Sequence, residues 1–261
     1  MAQPALKTDI LYQDLAILWI QKRSIDANYL PLIRLKKEAE KLLTPGNPVK
    51  GEACLILAFV YAILWERKSA LYYLEEFERF SYADNIYYVN SALIYNYFGY
   101  PAKAVEFIEK VSDAGRNNDL FQGNAYSVYV NSGFFRKAFE YWNNIKSKIN
   151  PRMEAVEMVN IVKALDDNSI SDFDIVAVLN VGYKLVVQAN IPFMMTHLYI
   201  DHGLHIEFLL DHRFIDSTID MLWEFATIVT EMEEYNRISS TVTINMVPAD
   251  LSLEEEGASS I

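Results

Sequence analysis

Apolar residues recur at three- and four-residue steps through most of the first two-thirds of the chain, as in Ala104, Phe107, Ile108 and Val111. This spacing puts the apolar side chains on one side of a helix, so the pattern predicts a series of amphipathic helices. Two further stretches of the same kind lie within residues 9–43. The chain therefore begins with a predominantly helical region.

The helical pattern also repeats every 34 residues, over three copies. Four columns keep this spacing: Tyr61, Tyr95 and Tyr129; Ala70, Ala104 and Ala138; Leu74, Ile108 and Trp142; Phe77, Val111 and Ile145. The alanines permit two helices to cross closely. Gly99 and Gly133 lie five residues before an alanine, where a sharp turn is expected, and Trp65 takes that place in the first copy. The repeat predicts three helix–turn–helix units.

Residues 51–152 resemble the tetratricopeptide repeat family. The resemblance rests on the first-helix aromatic, the glycine–aromatic turn and the Lys-Ala pair that opens the second helix. The early tryptophan of the family is replaced by Cys54, Tyr88 and Gln122. The resemblance implies an α-solenoid of three clear repeats with a possible degenerate one before them, whose first helices line a concave groove.

Helical geometry then selects the groove residues as those facing away from the packing columns. They are Leu55, Phe59, Ile63, Val89, Leu93, Asn96, Tyr97, Ser127, Val130 and Asn131. Groove lysines or arginines, with which such families capture a terminal carboxylate, are missing from this set. The prediction is a non-catalytic scaffold, adaptor or chaperone-like protein that binds an extended apolar peptide or a partner helix. The alternative is that these side chains fill the interior of the superhelix.

The pattern changes after residue 165. Ser171 and Asp174 form a capping-box-like start for a helix that runs to about residue 188. Two β-rich runs flank His202 and Gly203, which predicts a hairpin with a two-residue turn. A helix over 215–234 and a strand near 240–247 follow. We predict a small α+β region with a short antiparallel sheet. The predicted domains are 1–165 (helical repeats), 166–248 (α+β) and 249–261 (a disordered acidic tail).

Charge is distributed unevenly along the chain. The net charge of −12 divides into +3 for residues 1–50, zero for 51–152 and −15 for 153–261. Nucleic-acid binding needs a concentrated basic surface, so it is disfavoured, and so is binding to an anionic membrane. The second hypothesis is a regulatory or neutralising protein, of the immunity or antitoxin kind, whose acidic surface masks a basic partner. Self-association is also left open.

Candidate chemistry is sparse. All four histidines lie between residues 197 and 212, but the predicted hairpin puts His197 and His205 on opposite faces, which disfavours a metal site. Cys54 lies within a repeat helix and is predicted to be a buried structural thiol. Nucleophile-elbow, phosphate-loop and dinucleotide-binding motifs are missing. We therefore expect no enzyme and no cofactor, with an enzyme built on the hairpin histidines as a third alternative. A single cysteine and the lack of a signal-peptide pattern predict a cytoplasmic location.

Overall fold

The computed structural model describes residues 4–20, 28–81, 85–116, 119–145, 154–191, 193–211 and 214–249, which are mostly helical. In chain order, its elements are first α1 (Pro4–Ile20), α2 (Leu30–Glu40), α3 (Lys50–Ile63), α4 (Arg67–Ser81), α5 (Asn85–Tyr97) and α6 (Pro101–Glu109). Next come α7 (Asp113–Arg116), α8 (Asp119–Ser132), α9 (Phe135–Ile145), α10 (Glu154–Asp167) and α11 (Asp172–Ala189). The remaining elements are β1 (Phe193–Ile200), β2 (Leu204–Asp211), α12 (Ile215–Val229), α13 (Glu233–Ile238) and β3 (Val242–Ala249).

The chain forms two compact units, Met1–Ile94 and Tyr95–Asp250. Within the first unit α3 is central, because α1, α2 and α4 all pack against it. Every residue from 53 to 60 is buried, as expected for a helix that is apolar around its whole circumference. The domain boundaries predicted after residues 165 and 248 remain predictions. The predicted tail lies outside the described residues, except for Ala249.

Three described helix pairs, α3–α4, α5–α6 and α8–α9, keep the 34-residue spacing of the sequence. Their second helices begin 34 residues apart, and the turn residues Trp65, Gly99 and Gly133 have φ of 58°, 76° and 80°. In each turn the next amide donates to a carbonyl five residues back, over 2.8–3.0 Å. This hydrogen bond is typical of a helix that ends in a left-handed residue. The predicted glycine turns are confirmed, and Trp65 adopts the same conformation.

The columns of the repeat form the contacts within each pair. The alanine column is fully buried, and the two apolar columns are at most 5% exposed. Each column tyrosine stacks on an aromatic ring of the second helix, with centroid distances of 5.4, 5.3 and 5.4 Å for Tyr61–Tyr73, Tyr95–Phe107 and Tyr129–Tyr141. Such a pair contributes about 0.5–1.5 kcal/mol beyond the area it buries. The tyrosine column therefore serves packing within each helix pair.

The sheet is mixed, in the order β1-β2-β3. β1 and β2 are antiparallel, whereas β3 runs parallel to β2 with Leu204 opposite Val242. The predicted antiparallel sheet is therefore wrong for β3. The physical reason is the connection: α12 and α13 carry the chain back to the start of β2, and a helical crossover of this kind joins parallel strands.

The β1–β2 turn is one residue longer than predicted. Ile200 pairs with Leu204, so residues 201–203 form the loop. Within it, the Asp201 amide donates to the Gly203 carbonyl over 3.0 Å, and His202 has a φ of 54°. His202 takes the left-handed conformation, and the loop has three residues. The predicted turn had only two, His202 and Gly203.

This register changes which histidines share a face. His197 lies opposite Glu207, and Tyr199 lies opposite His205. Because residues two apart on a strand point to the same side, all four side chains lie on one face of the sheet. The prediction that His197 and His205 point to opposite faces is wrong. A shift of one residue in the strand register moves a side chain to the other face of the sheet.

Helix α11 begins after Ser171, whose hydroxyl accepts a hydrogen bond from the Phe173 amide over 3.1 Å, so the predicted start is confirmed. The helix packs closely against the sheet at Gly182, where a Cβ atom would lie 2.7 Å from Cζ of Phe208. Beside it, the Tyr183 hydroxyl donates to the Asn131 carbonyl over 2.6 Å. Burial raises the pKa of Tyr183 well above its usual range. Gly182 and Tyr183 thus hold α11 against β2 and α8.

Arg136 ties α9 to the start of α11. Its guanidinium donates to Asp172 and Asp166, each over 2.6 Å, and to the Ile170 carbonyl over 2.9 Å. Asp172 is only 9% exposed, and its burial raises its pKa although Arg136 opposes the rise. The arginine therefore compensates a carboxylate that is largely removed from water.

We expect Gly133→Ala to lower the free energy of unfolding more than Gly99→Ala. Both positions have positive φ, which costs an alanine about 1–2 kcal/mol. Only at Gly133 would the new Cβ clash, at 2.9 Å from Cδ1 of Leu179, whereas at Gly99 the nearest atom is 3.4 Å away. The clash adds about 1–3 kcal/mol, measurable by urea unfolding. Equal losses would contradict close packing of this turn on α11.

We expect Arg136→Met to destabilise the protein by about 2–4 kcal/mol at pH 7, because Asp172 loses its cation. The loss becomes smaller towards pH 4, since the folded state then binds a proton on Asp172 and buries no unpaired charge. The control is Arg136→Met combined with Asp172→Asn, which should recover most of the loss in urea unfolding. A double variant as unstable as the single one would show that the charge of Asp172 is unimportant.

Candidate binding surfaces

The groove residues predicted on α3 are buried in the first unit. Leu55, Phe59 and Ile63 are at most 5% exposed, and the Trp19 ring of α1 meets Phe59 edge-on at a centroid distance of 4.8 Å. The helix packing that surrounds α3 thus covers the predicted face. A partner reaches these three side chains only if α1 moves away.

The groove residues predicted on α5 are partly accessible. Val89, Leu93 and Tyr97 are half-buried and recur every four residues along the helix. Asn96 is 8% exposed, and its Oδ1 has no hydrogen-bond partner in the described part of the chain. A buried acceptor without a donor costs about 1–3 kcal/mol, and this oxygen is not accessible to a partner.

The groove residues predicted on α8 differ among themselves. Ser127 is exposed, Val130 is buried, and Asn131 is half-buried. The carbonyl of Asn131 already accepts the Tyr183 hydroxyl. Of this helix, Ser127 and the Asn131 side chain remain available to a partner.

A cleft of about 430 Å³ lies beside α2, within the first unit. Its lining is Leu32, Ile33, Lys36, Lys37, Glu40, Leu64 and Glu66. The Lys36 ammonium lies 4.4 Å from the centroid of the Tyr61 ring. Burial lowers the pKa of Lys36, but the Tyr61 hydroxyl and the two glutamates raise it more, so it stays charged. The lining carries both signs of charge and selects no particular ion.

Polar side chains cover the outer face of the β1–β2 hairpin. His197 Nδ1 lies 3.1 Å from Glu207 Oε2, and the Tyr199 hydroxyl donates to Glu207 Oε1 over 3.3 Å. The rings of Tyr199 and His205 stack at 4.6 Å. Burial, followed by the charge of Glu207, raises the pKa of Tyr199. Within the described residues, no group of three or more metal-binding side chains could hold an ion.

Cys54 is 1% exposed, as predicted for a structural thiol. Burial raises the pKa of this thiol to about 11, with Glu76 adding to the rise and Lys50 opposing it. At neutral pH the side chain is therefore a thiol rather than the reactive thiolate.

Helix α12 carries an apolar stripe on its solvent side. Its inner face buries Thr218, Met221, Phe225 and Val229. Outside this face, Ile215, Ile219 and Trp223 are 49%, 47% and 73% exposed. They are spaced four residues apart, so they line up along one side of the helix. We call these three residues the α12 stripe. Isolated exposed apolar residues are common on protein surfaces, whereas contiguous apolar patches are rarer and often mark interaction sites.

A row of carboxylates follows the α12 stripe. Asp216, Asp220 and Glu224 each come one residue after a stripe residue, and all three are exposed. No ion pair or hydrogen bond from the described part of the chain engages these side chains. We call them the acidic row. The stripe and the row together present apolar area beside uncompensated negative charge.

Comparison with protein-family models, with curated proteins and with solved structures finds no match to this chain. Among the described residues, no helix combines the length and the apolar character needed to cross a membrane. The α12 stripe was not among the residues selected from the sequence. The sequence did contain a signal for this stripe. Its three apolar residues form a second line along a helix that already had enough apolar residues for a buried face.

We expect Trp223 to account for most of the tryptophan fluorescence that acrylamide can quench. The chain has four tryptophans, and Trp142 is only 1% exposed while Trp19 and Trp65 are half-buried. Trp223→Phe should therefore remove most of the quenchable emission. Caesium should quench Trp223 better than iodide, because the acidic row attracts cations and repels anions, and added salt should reduce this difference. Unchanged quenching in Trp223→Phe would show that the stripe is covered in solution.

Proposed function

We propose that this protein is a non-catalytic binding scaffold, and that it holds a peptide or helix of a partner protein against the α12 stripe. The observation that carries the proposal is the 73% exposure of Trp223, in line with two half-exposed isoleucines. The framework consists of tetratricopeptide-like helix pairs. In the second unit, α8 and α9 contact α11, against which the sheet and α12 pack.

Leaving the α12 stripe in contact with water is energetically unfavourable. Burial of apolar area contributes about 25 cal/mol per Å², and a tryptophan offers one of the largest areas of any side chain. Tryptophan is enriched among the residues that dominate binding energy at interfaces, especially when smaller contacts surround it and exclude water. Ile215 and Ile219 supply such contacts beside Trp223.

Predicted groove residues provide further contacts in this proposal, each helix considered by itself. On α5 the accessible ones are Val89, Leu93 and Tyr97, and on α8 they are Ser127 and Asn131. Leu55, Phe59, Ile63 and Val130 support the fold and do not contribute directly to this surface.

A second candidate function is neutralisation of a basic partner by charge alone. It is favoured by the −15 balance of residues 153–261 and by the uncompensated acidic row. The two functions differ in their response to salt. Binding by apolar burial persists at high ionic strength, whereas binding by exposed charges weakens steeply.

The proposal is tested by replacing one residue at a time with the photo-crosslinking amino acid benzoylphenylalanine, in cells that naturally express the chain. The positions are Trp223 on the α12 stripe, Leu93 on α5 and Phe173 on α11. Phe173 is the matched control, because it is an aromatic residue with the same 73% exposure on a different helix. We expect a defined protein adduct at position 223, and one at position 93 if the partner also contacts α5.

Trp223→Glu should then abolish co-purification of the crosslinked partner, while Phe173→Glu should leave it unchanged. Circular dichroism and the urea midpoint confirm that both variants fold. A partner that survives Trp223→Glu but is lost in Leu93→Glu would move the binding surface to α5. Equal adducts at all three positions, or none at 223 and 93, would overturn the proposal.

A further inference from the structure

We infer that the partner segment bound by α12 is a basic amphipathic helix of another protein, an inference that rests on the proposed function. The α12 stripe would receive its apolar side, and the acidic row would pair with lysines or arginines along one flank. Neither half of this surface suffices alone. Exposed ion pairs are individually weak, and an apolar stripe without charges would not select its partner.

The geometry of the surface favours a helix over an extended strand. The stripe and the acidic row both advance by about 6 Å per four-residue step, which gives a straight ridge about 12 Å long. Ridges of this spacing fit the grooves between the four-residue rows of another helix. A partner with basic residues at i, i+4 and i+8 matches the acidic row step for step.

Among the described residues, none pairs with the acidic row, and the segment that carries the row is itself acidic. Residues 214–249 contain six acidic residues and one basic residue, Arg237. That arginine is already engaged, since its Nη2 lies 2.5 Å from Asp174 Oδ1 and its guanidinium also faces Glu233 and Glu234. The carboxylates of Asp216, Asp220 and Glu224 therefore attract an external cation.

The same charges exclude other occupants. The segment 250–261 has four acidic residues and no basic one, so the acidic row repels it. An anionic lipid surface is repelled for the same reason. A basic helix satisfies both the apolar stripe and the acidic row, which makes it the complementary partner.

The test uses the full chain and three synthetic peptides of about 18 residues, long enough for five helical turns. The first has leucines on one face and lysines along its flank. The second replaces the lysines with glutamates, and the third has the composition of the first in an order that forms no apolar face. Binding is measured by calorimetry and by the emission of Trp223. We expect the first peptide to bind at least about tenfold more tightly than either of the others, given three ion pairs of modest strength beside an apolar contact.

Two matched triple variants separate the effect of the acidic row on binding from the effect of the net charge of the chain. The triple variant Asp216→Asn, Asp220→Asn, Glu224→Gln should weaken binding of the first peptide about tenfold. The control is Glu75→Gln, Glu106→Gln, Glu140→Gln, which changes exposed helix glutamates elsewhere and gives the same net charge. It should leave the affinity within about twofold, because these exposed charges lie on other helices and do not adjoin the α12 stripe. Equal weakening by both triple variants would overturn the inference.

The outcome also distinguishes this inference from the proposed function. One possible outcome is a crosslinked partner at position 223 together with equal affinity for the lysine and glutamate peptides. It would support the proposed binding surface but overturn the inference that the partner is a basic helix. Failure of Trp223→Glu to weaken the first peptide would overturn the inference and the proposed surface together. Sedimentation of the free chain tests whether a second copy of the chain covers the stripe. A dimer that Trp223→Glu disrupts would show that it does and would overturn the inference.

Discussion

The left-handed residue that ends the first helix of each pair is the constraint on which the two units are built. One backbone residue with positive φ reverses the chain and brings the alanine and aromatic columns of the two helices together. Glycine adopts this conformation freely, whereas Trp65 does so at a cost of about 1–2 kcal/mol that the packing around α3 must offset. In the second unit α11 lies directly against the turns at Gly99 and Gly133, and the sheet lies against α11 at Gly182. The position of α12 thus depends, step by step, on the geometry of the turns.

Local patterns account for the part of the fold that could be predicted. Helical periodicity, the capping serine and the two turn glycines act within a few residues, so the sequence carries their signal directly. Strand pairing is decided by contacts between distant residues, and there the prediction failed. The parallel direction of β3 follows from how α12 and α13 pack, and the hairpin register follows from a left-handed histidine that sequence preferences do not favour.

The candidate site shows the same limit. Periodicity predicted one helix over 215–234, but the structure divides this segment into α12, which ends at Val229, and α13, which begins at Glu233. Which apolar residues of α12 face inward depends on where α11 and β3 lie. Thr218 is buried while Trp223 is exposed, the reverse of what side-chain hydrophobicity alone suggests. Conversely, Phe59 was expected on an open groove and is covered by Trp19, because nothing in the 34-residue repeat indicates where α1 packs.

The parallel pairing of β3 also has a consequence for the order in which the chain acquires its structure during synthesis. The helix pairs are closed by contacts close in sequence, which form rapidly, so each can assemble soon after its second helix is made. β3 emerges only after α12 and α13. Until then one edge of β2 lacks its hydrogen-bonded neighbour, and α12 lacks the strand that it packs against. Nascent chains therefore pass through a stage in which the helix pairs are folded but one edge of the sheet is still unpaired. At this stage the main hazard is pairing of that edge with a neighbouring nascent chain.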